Sequence, residues 1–461
     1  MLANIKNEIS AVFDTIGSIN YRVVTATGAH DDVNINNAIK ELNPDRSNKM
    51  GIGGVVFLPP GTYDISDTVV LTPSIAIIGA GHEATLLKVN KKVDAFRLIS
   101  TDASDGNIVL KNFWIMGNTD AHVNPVYSST ITSVSGNVIC DNTLTFANDS
   151  LNNTALEIFT WDERAQVIPI IGNTGRYIKL AYAPRVIPKS GTGYKIIANG
   201  IGLYGDGGSH STIEDVYVMQ LPGCGIVLSD GGQTVITNCY IAGNRTDSIR
   251  ISPKRENIGC PSISNCMLNG GYGSAIRVDG TSYYLRATNN TMFGCKVLST
   301  AVKAFNLHRS IISNNILPTI GTITVNVKGT VKSATPNSIT LAEDISYSPY
   351  AYIGEVITIA DKQSRLITDT YQDDEKKVVF KFEHETLTDV NPGDPVIVHR
   401  WPRGGIDLEG NSSDNVISTN IFETTEPFNV EPIYLGSKTN NNKVLDNFAK
   451  VLNFSKTNIV R

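Results

Sequence analysis

The chain has 461 residues, 39 of them glycine, and a formal net charge of −5. That charge, with no run of five basic residues, argues against a nucleic-acid partner, which would require a basic face. No run of 18 apolar residues occurs and no charged start leads into an apolar segment at the N-terminus, so neither a membrane partner nor a signal peptide is expected.

Residues 1–50 read as an N-terminal cap. A stretch over residues 3–15 places Ile5, Ile9, Val12 and Phe13 on one side of a helix. Gly28 then opens a turn, and the Asp- and Asn-rich start of the segment ending at Leu42 suits the positive end of a second helix. From residue 51 to 125 the pattern changes to short strands and turns, beginning Gly53-Gly-Val-Val-Phe-Leu-Pro-Pro-Gly-Thr-Tyr63, Thr68-Val-Val-Leu71 and Ile75-Ala-Ile-Ile-Gly-Ala-Gly81. This order, a Gly28-Ala-His-Asp-Asp32 helix start followed by those strands, resembles the opening of the pectate-lyase-like superfamily. Its members are right-handed parallel β-helices and include phage tailspike depolymerases, polygalacturonases, alginate epimerases and inulin fructotransferases. The resemblance covers residues 20–90 and implies an all-β solenoid with capping helices. The paired-aspartate and His motifs of the polygalacturonases are missing.

An asparagine then recurs as Asn238-Cys, Asn265-Cys, Asn290-Thr, Asn315-Ile, Asn420-Ile and Asn447-Phe, at steps of 27, 25, 25, 105 and 27 residues. A period of this size marks stacked units that bury a core only together, and an asparagine at one turn of every coil predicts a hydrogen-bonded ladder. Asn112 and Asp215 extend the series backwards with a gap of 103. The two long gaps each exceed one coil by roughly 75–80 residues. Each is therefore expected to hold an inserted β module, at 126–198 and 322–400, between central coils at 199–321 and C-terminal coils at 401–461. Similar segments in the two insertions fall 199 to 204 residues apart, which suggests one small barrel or sandwich used twice. Cys239 and Cys266 occupy equivalent positions and read as core side chains.

The strand ahead of each ladder turn aligns as Ile201-Gly-Leu-Tyr204, Ile226-Val-Leu-Ser229, Ile249-Arg-Ile-Ser252, Ile276-Arg-Val-Asp279, Val302-Lys-Ala-Phe305, Ile406-Asp-Leu-Glu409 and Ile433-Tyr-Leu-Gly436. The first and third residues of each are expected in the core. The second and fourth are expected to face out, which stacks Arg250, Arg277, Lys303, Asp407 and Tyr434 in one column. Three successive cations call for something anionic between them. An acidic or hydroxyl-rich ligand satisfies that need, as does neutralisation by Asp279 and Asp407. Asp407 and Glu409 share a face at roughly 6–7 Å, compatible with a general acid and its base or nucleophile, and Asp279 is a candidate partner two rungs away. Arg250, Arg277 and Lys303 are candidate substrate ligands, with Tyr204, Trp401 and Tyr434 as sugar-stacking platforms.

No metal or other cofactor is implied, since His210, His308 and His399 lack ligand spacing and Gly79-Ala80-Gly81 reads as a coil turn. The resemblance then implies a polysaccharide partner and an endo-acting glycoside hydrolase of tailspike type, on a virion tail or otherwise extracellular. A lyase acting on a uronate-containing glycan and a non-catalytic glycan-binding adhesin are the alternatives. After each ladder turn the chain reads Cys239-Tyr-Ile, Cys266-Met-Leu, Thr291-Met-Phe and Ile316-Leu-Pro, apolar on consecutive positions. Both faces of those strands are thus expected to be covered, and the tailspike resemblance implies a homotrimer.

Overall fold

Three-residue strands rich in Ile and Val have too little edge to stand alone, and here they stack coil upon coil into parallel sheets. The structure, a computed structural model, describes residues 20–43, 53–90, 93–100, 106–117, 127–160, 165–198, 200–205, 210–229, 232–244, 246–254, 258–269, 273–293, 300–317, 325–346, 352, 356–360, 363–367, 369–382, 387–399, 405–422, 433–436, 438–447, 451–453 and 457–460. The expected helix at 3–15, and Trp401, lie outside these residues. Among them the chain forms a right-handed parallel β-helix built on a nineteen-stranded sheet, a ten-stranded sheet and a short three-stranded sheet. One apolar core runs through the solenoid, from Val24 to Val444.

The α-helix Asp31–Leu42 closes one end, burying Ile35, Ala38 and Ile39. Its start is fixed by carboxylates. Asp31 accepts from the amides of Thr27, Gly28 and Asp64, and Asp32 accepts from the amide of Ser66, so the first turn is tied to the first strands.

The ten-stranded sheet carries the aligned rungs in the expected register. Ile201, Ile226, Ile249, Ile276, Val302, Ile406 and Ile433 follow one another as Cα partners, as do Gly202, Val227, Arg250, Arg277, Lys303, Asp407 and Tyr434. First and third residues, from Ile201 and Leu203 to Ile433 and Leu435, lie in the core.

The asparagine ladder is real over its last four coils, but the four earlier positions, Asn112, Asp215, Asn238 and Asn265, fall on the left-handed turn residue one before it, with Phe113, Val216, Cys239 and Cys266 pointing inward instead. At this corner each coil passes through a left-handed residue, Asn238, Asn265, Asn289, Asn314, Thr419 and Asp446, and the next residue points inward. The inward series is Cys239, Cys266, Asn290, Asn315, Asn420 and Asn447. Asn290 Oδ1 accepts from the Cys266 amide, Asn315 Oδ1 from Asn290, Asn420 Oδ1 from Asn315 and Asn447 Oδ1 from Asn420, all at 2.9–3.1 Å. Asn238 and Asn265 do lie above one another, but as turn residues outside the ladder. A left-handed backbone favours asparagine for its own reasons. Where the chain reads Asn289-Asn290 and Asn314-Asn315, spacing alone does not separate the two roles. A second ladder, Asn415, Asn442 and Asn458, stands at another corner.

Antiparallel strands interrupt the solenoid within 127–197 and within 325–399. In the first, Val138–Cys140, Tyr177–Leu180, Gln166–Thr174, Ala155–Ile158 and Gly193–Ile197 pair in that order, and both ends pair with the stretch Tyr127–Thr130 and Ser133–Ser135. In the second, Ser338–Leu341, Val378–Lys381, the stretch Asp369–Gln372 and Gln363–Leu366, Val356–Ile359 and Pro395–His399 pair in the same order, and both ends pair with Val325–Thr335. Each sheet closes on itself, giving two six-stranded barrels of identical connectivity, each with its own apolar cluster.

Candidate functional site at the roofed sheet

The outward residues of the ten-stranded sheet do not face water. Gly202, Val227, Arg250, Lys303, Asp407 and Tyr434 are all buried, and Arg277 keeps only 15% of its side chain exposed. The expectation of an open column is therefore corrected: over its first half the sheet is roofed by the first barrel. Glu157, on the barrel strand Ala155–Ile158, reaches down to Arg250 with Oε1 2.8 Å from Nη2, and lies 3.6 Å from Arg277 Nη1. The Val167 amide donates to Ser252 Oγ at 3.0 Å, and the Tyr182 and Ser229 hydroxyls are 2.7 Å apart. Three coils before Arg250, Arg97 donates to the carbonyls of Thr154 and Ile170 while Asp94 holds its Nε at 2.5 Å.

The stacked cations are thus neutralised by the protein itself. Asp279 accepts from Arg250 Nε through one oxygen and from Arg277 Nε through the other, both at 2.8 Å. Burial opposes its ionisation, but Arg277, Arg250 and Lys303 more than offset that, and its carboxyl titrates below the ordinary range. Glu157 behaves likewise, burial being outweighed by Arg250 and Arg277. Asp247 goes the other way. Burial pushes it up beyond what Arg277 and Arg250 recover, with Oδ1 accepting the Ser274 amide at 2.7 Å and Oδ2 3.7 Å from Arg250 Nη1. An acid whose oxygens are both held by guanidinium groups has no proton to give. Asp279 is placed as a fixed counter-ion, and Arg250 as the anchor between sheet and barrel.

Tyr204 is also placed away from a ligand. Its ring folds over Gly202, where a Cβ would come within 2.1 Å of it, and it packs with Ala155, Val167, Cys224 and Val227 at the barrel junction. Burial raises its phenol well above the ordinary value, so it stays a neutral hydroxyl. Tyr434 is likewise enclosed, at 8% exposure, rather than presenting a stacking face.

The remaining named residues come together at the far part of the sheet. Lys303 and Asp407 are Cα partners on adjacent strands, as are Phe305 and Glu409. Asp407 is fully buried, whereas Glu409 is partly exposed, the one described carboxylate among the outward residues of this sheet that solvent reaches. Its carboxyl lies against Gly436 on the next coil, where an added Cβ would meet Oε2 at 2.5 Å. Arg277 and Glu409 are therefore the partly open charged positions of the two outward columns. Glu157 was not legible because no spacing ties a barrel strand to the coils it covers, and Asp247 because it lies on the turn ahead of the Ile249–Ile251 strand, outside the aligned rung positions. Arg97 was within reach, since Phe96-Arg-Leu-Ile99 repeats the rung pattern and pairs with Ile201–Gly205.

The sequence profile described as rhamnogalacturonase A/epimerase, pectate lyase-like, matches residues 22–273, more than half of the chain. The protein belongs to that family. Among solved structures it is similar to the ORF18 protein of Geobacillus virus E2, with 13% identity and a TM-score of 0.42 over 97% of this chain and 64% of that one. The chain thus spans just under two thirds of the length of that phage protein. It is also similar to a DFA-IIIase from Arthrobacter chlorophenolicus A6 solved without its lid in complex with GF2, with 14% identity, a TM-score of 0.49 and coverage of 93% and 81%. The A-module of a mannuronan C-5 epimerase from Azotobacter vinelandii gives 10% identity, a TM-score of 0.39 and coverage of 96% and 97%. No curated protein matches the chain. Among the described residues no helix is long and apolar enough to cross a membrane, and no group of three His, Cys, Asp or Glu is placed to hold a metal ion.

Proposed function

We propose that the protein is a carbohydrate-processing enzyme, a polysaccharide depolymerase that hydrolyses bonds within a bacterial surface or capsular glycan, acting on a virion tail or otherwise outside the cell. The family supports the carbohydrate class. The observation that carries the site is the Asp407–Glu409 strand: two carboxylates on one face, one enclosed beside Lys303 and one partly exposed.

In this reading Glu409 is the proton donor to the departing glycosidic oxygen, because it is the carboxylate that a sugar can approach. Asp407, about 6–7 Å away along the strand and enclosed, is the second carboxylate, acting as base on an intervening water rather than as a nucleophile in contact with the sugar. Arg277, held by Asp279 and Glu157, presents a fixed cation to hydroxyl or acidic substituents. Asp279 is left out of the chemistry.

The test is to incubate the protein with a panel of acidic and neutral bacterial glycans and size the products. Glu409→Gln and Asp407→Asn should each lower the cleavage rate by about 10²–10⁴-fold, the usual worth of a positioned acid or base. Products absorbing in the ultraviolet would identify elimination instead of hydrolysis, and an unchanged size profile with retained binding would identify an adhesin.

A further inference from the structure

We propose that the corner of the solenoid following the roofed sheet carries a binding shelf for an anionic saccharide, formed by Tyr283, Tyr284, His308 and Arg309. In six successive coils this corner passes through one left-handed residue: Gln233, Cys260, Tyr284, Arg309, Asp414 and Asn441. These residues are stacked. The amides of Cys260, Tyr284, Arg309 and Asp414 donate to the carbonyls of Tyr283, His308, Ser413 and Asn440 on the next coil at 2.9–3.2 Å. Asparagine and aspartate adopt this conformation at little cost, as Asp414 and Asn441 do. A tyrosine or an arginine there is strained and gains no local side-chain hydrogen bond in return.

Packing does not explain the choice, because Tyr284 is 43% exposed and Arg309 is exposed as well. The side chains are nonetheless ordered by each other. Arg309 Nη1 donates to the Tyr284 hydroxyl at 3.2 Å. One residue earlier on each coil, the Tyr283 and His308 rings stack at 4.9 Å with 28° between planes, and His308 Nδ1 lies 2.9 Å from Ser413 Oγ. Burial, with Arg309 helping and Asp414 opposing, lowers the His308 pKa, so the imidazole stacks as a neutral ring at pH 7.

This is the equipment for a sugar carrying a carboxylate or sulfate. The aromatic pair offers apolar surface to the carbon–hydrogen face of a pyranose, and a guanidinium held at its edge grips the anion through two parallel hydrogen bonds. Exposed Arg286 adds a second cation two residues beyond Tyr284, while the Asp414 carboxylate, which accepts from Ser413 Oγ at 3.0 Å, bounds the shelf on its far side. The corner starts within five residues of Asp279, Phe305 and Glu409 on the same coils. A glycan with one residue at Glu409 can therefore continue round it.

The ligand class rests on the carbohydrate reading above, so the test measures binding separately from cleavage. Wild type, Tyr284→Asn and Arg309→Asn are titrated by calorimetry with tetragalacturonate, a hyaluronan hexasaccharide and a heparin tetrasaccharide, alongside the methyl ester of the first. Asparagine suits the left-handed turn, so both variants should melt at or above the wild-type temperature yet bind at least tenfold more weakly. Preference for the first two probes assigns a carboxylate ligand, and preference for the third a sulfate. Wild-type affinity in the Asn variants, equal affinity for the methyl ester, or no binding to any probe at millimolar concentration overturns the proposal. Repeating the titration in Glu409→Gln separates the two readings: binding kept with cleavage lost supports both, and cleavage by a wild type that fails to bind these probes overturns the shelf alone.

Discussion

At the scale of single residues, the strongest constraint is the buried set of Arg250, Arg277, Glu157, Asp247 and Asp279. Removing one member of such a set leaves its partner as an uncompensated buried charge, which costs about 3–5 kcal/mol. Asp279→Asn should destabilise the protein by that amount at pH 7 in a denaturant titration, since Arg250 and Arg277 both lose a carboxylate held at 2.8 Å. Asp247→Asn should change stability by less than about 1 kcal/mol, because an amide keeps the acceptor used by the Ser274 amide and removes a carboxylate whose ionised form burial disfavours. The two also differ in pH dependence. The stability contributed by Asp279, with its depressed pKa, is present above the ordinary carboxylate range and is lost as pH falls through that pKa. That of Asp247, with its raised pKa, is complete below the ordinary range and is lost as pH rises through that pKa. Melting temperatures across pH 3–8 for wild type and both variants check the signs.

At the scale of elements, coil stacking was legible because alternation and period are written in every strand, and the rungs pair in the register that alternation gives. Two things were not. Corners with two adjacent asparagines hide which one turns and which one points inward, so the expected series ran one residue short of the inward position at Asn112, Asp215, Asn238 and Asn265. The ladder's strength can be tested directly: Asn315→Ala removes the acceptor of the Asn290 amide, and an orphaned buried group of this kind should cost roughly 1–3 kcal/mol by urea denaturation. The second loss is the roof. Alternation says that Arg250 leaves the core, but not that a barrel strand some ninety residues earlier lands on it. The candidate site suffered most from this: Arg250 and Tyr204, expected to meet a ligand, are covered by the first barrel, and Asp279, expected as a catalytic acid, is held by Arg250 and Arg277.

At the scale of the whole molecule, one chain leaves an apolar row along the nineteen-stranded sheet. Tyr240, Met267, Thr291, Ile316 and Ile421 follow one another in register, with Met267, Ile316 and Ile421 each at least 40% exposed. A straight row parallel to the solenoid axis is matched in length and direction by the same row of another copy, and we propose a homotrimer assembled on it. Light scattering should give three times the chain mass of 49.8 kDa, falling to one on Ile316→Lys. A wild-type monomer at micromolar concentration would contradict the assembly.

The account depends most on Glu409 being the open acid of a glycan-cleaving site. Its direct measurement is the initial rate of glycan shortening, followed by size-exclusion chromatography, for wild type and Glu409→Gln side by side. The account predicts that wild type shortens at least one acidic bacterial glycan while Glu409→Gln, with an unchanged melting temperature, retains no more than about one hundredth of that rate. Equal rates for the two proteins would contradict it.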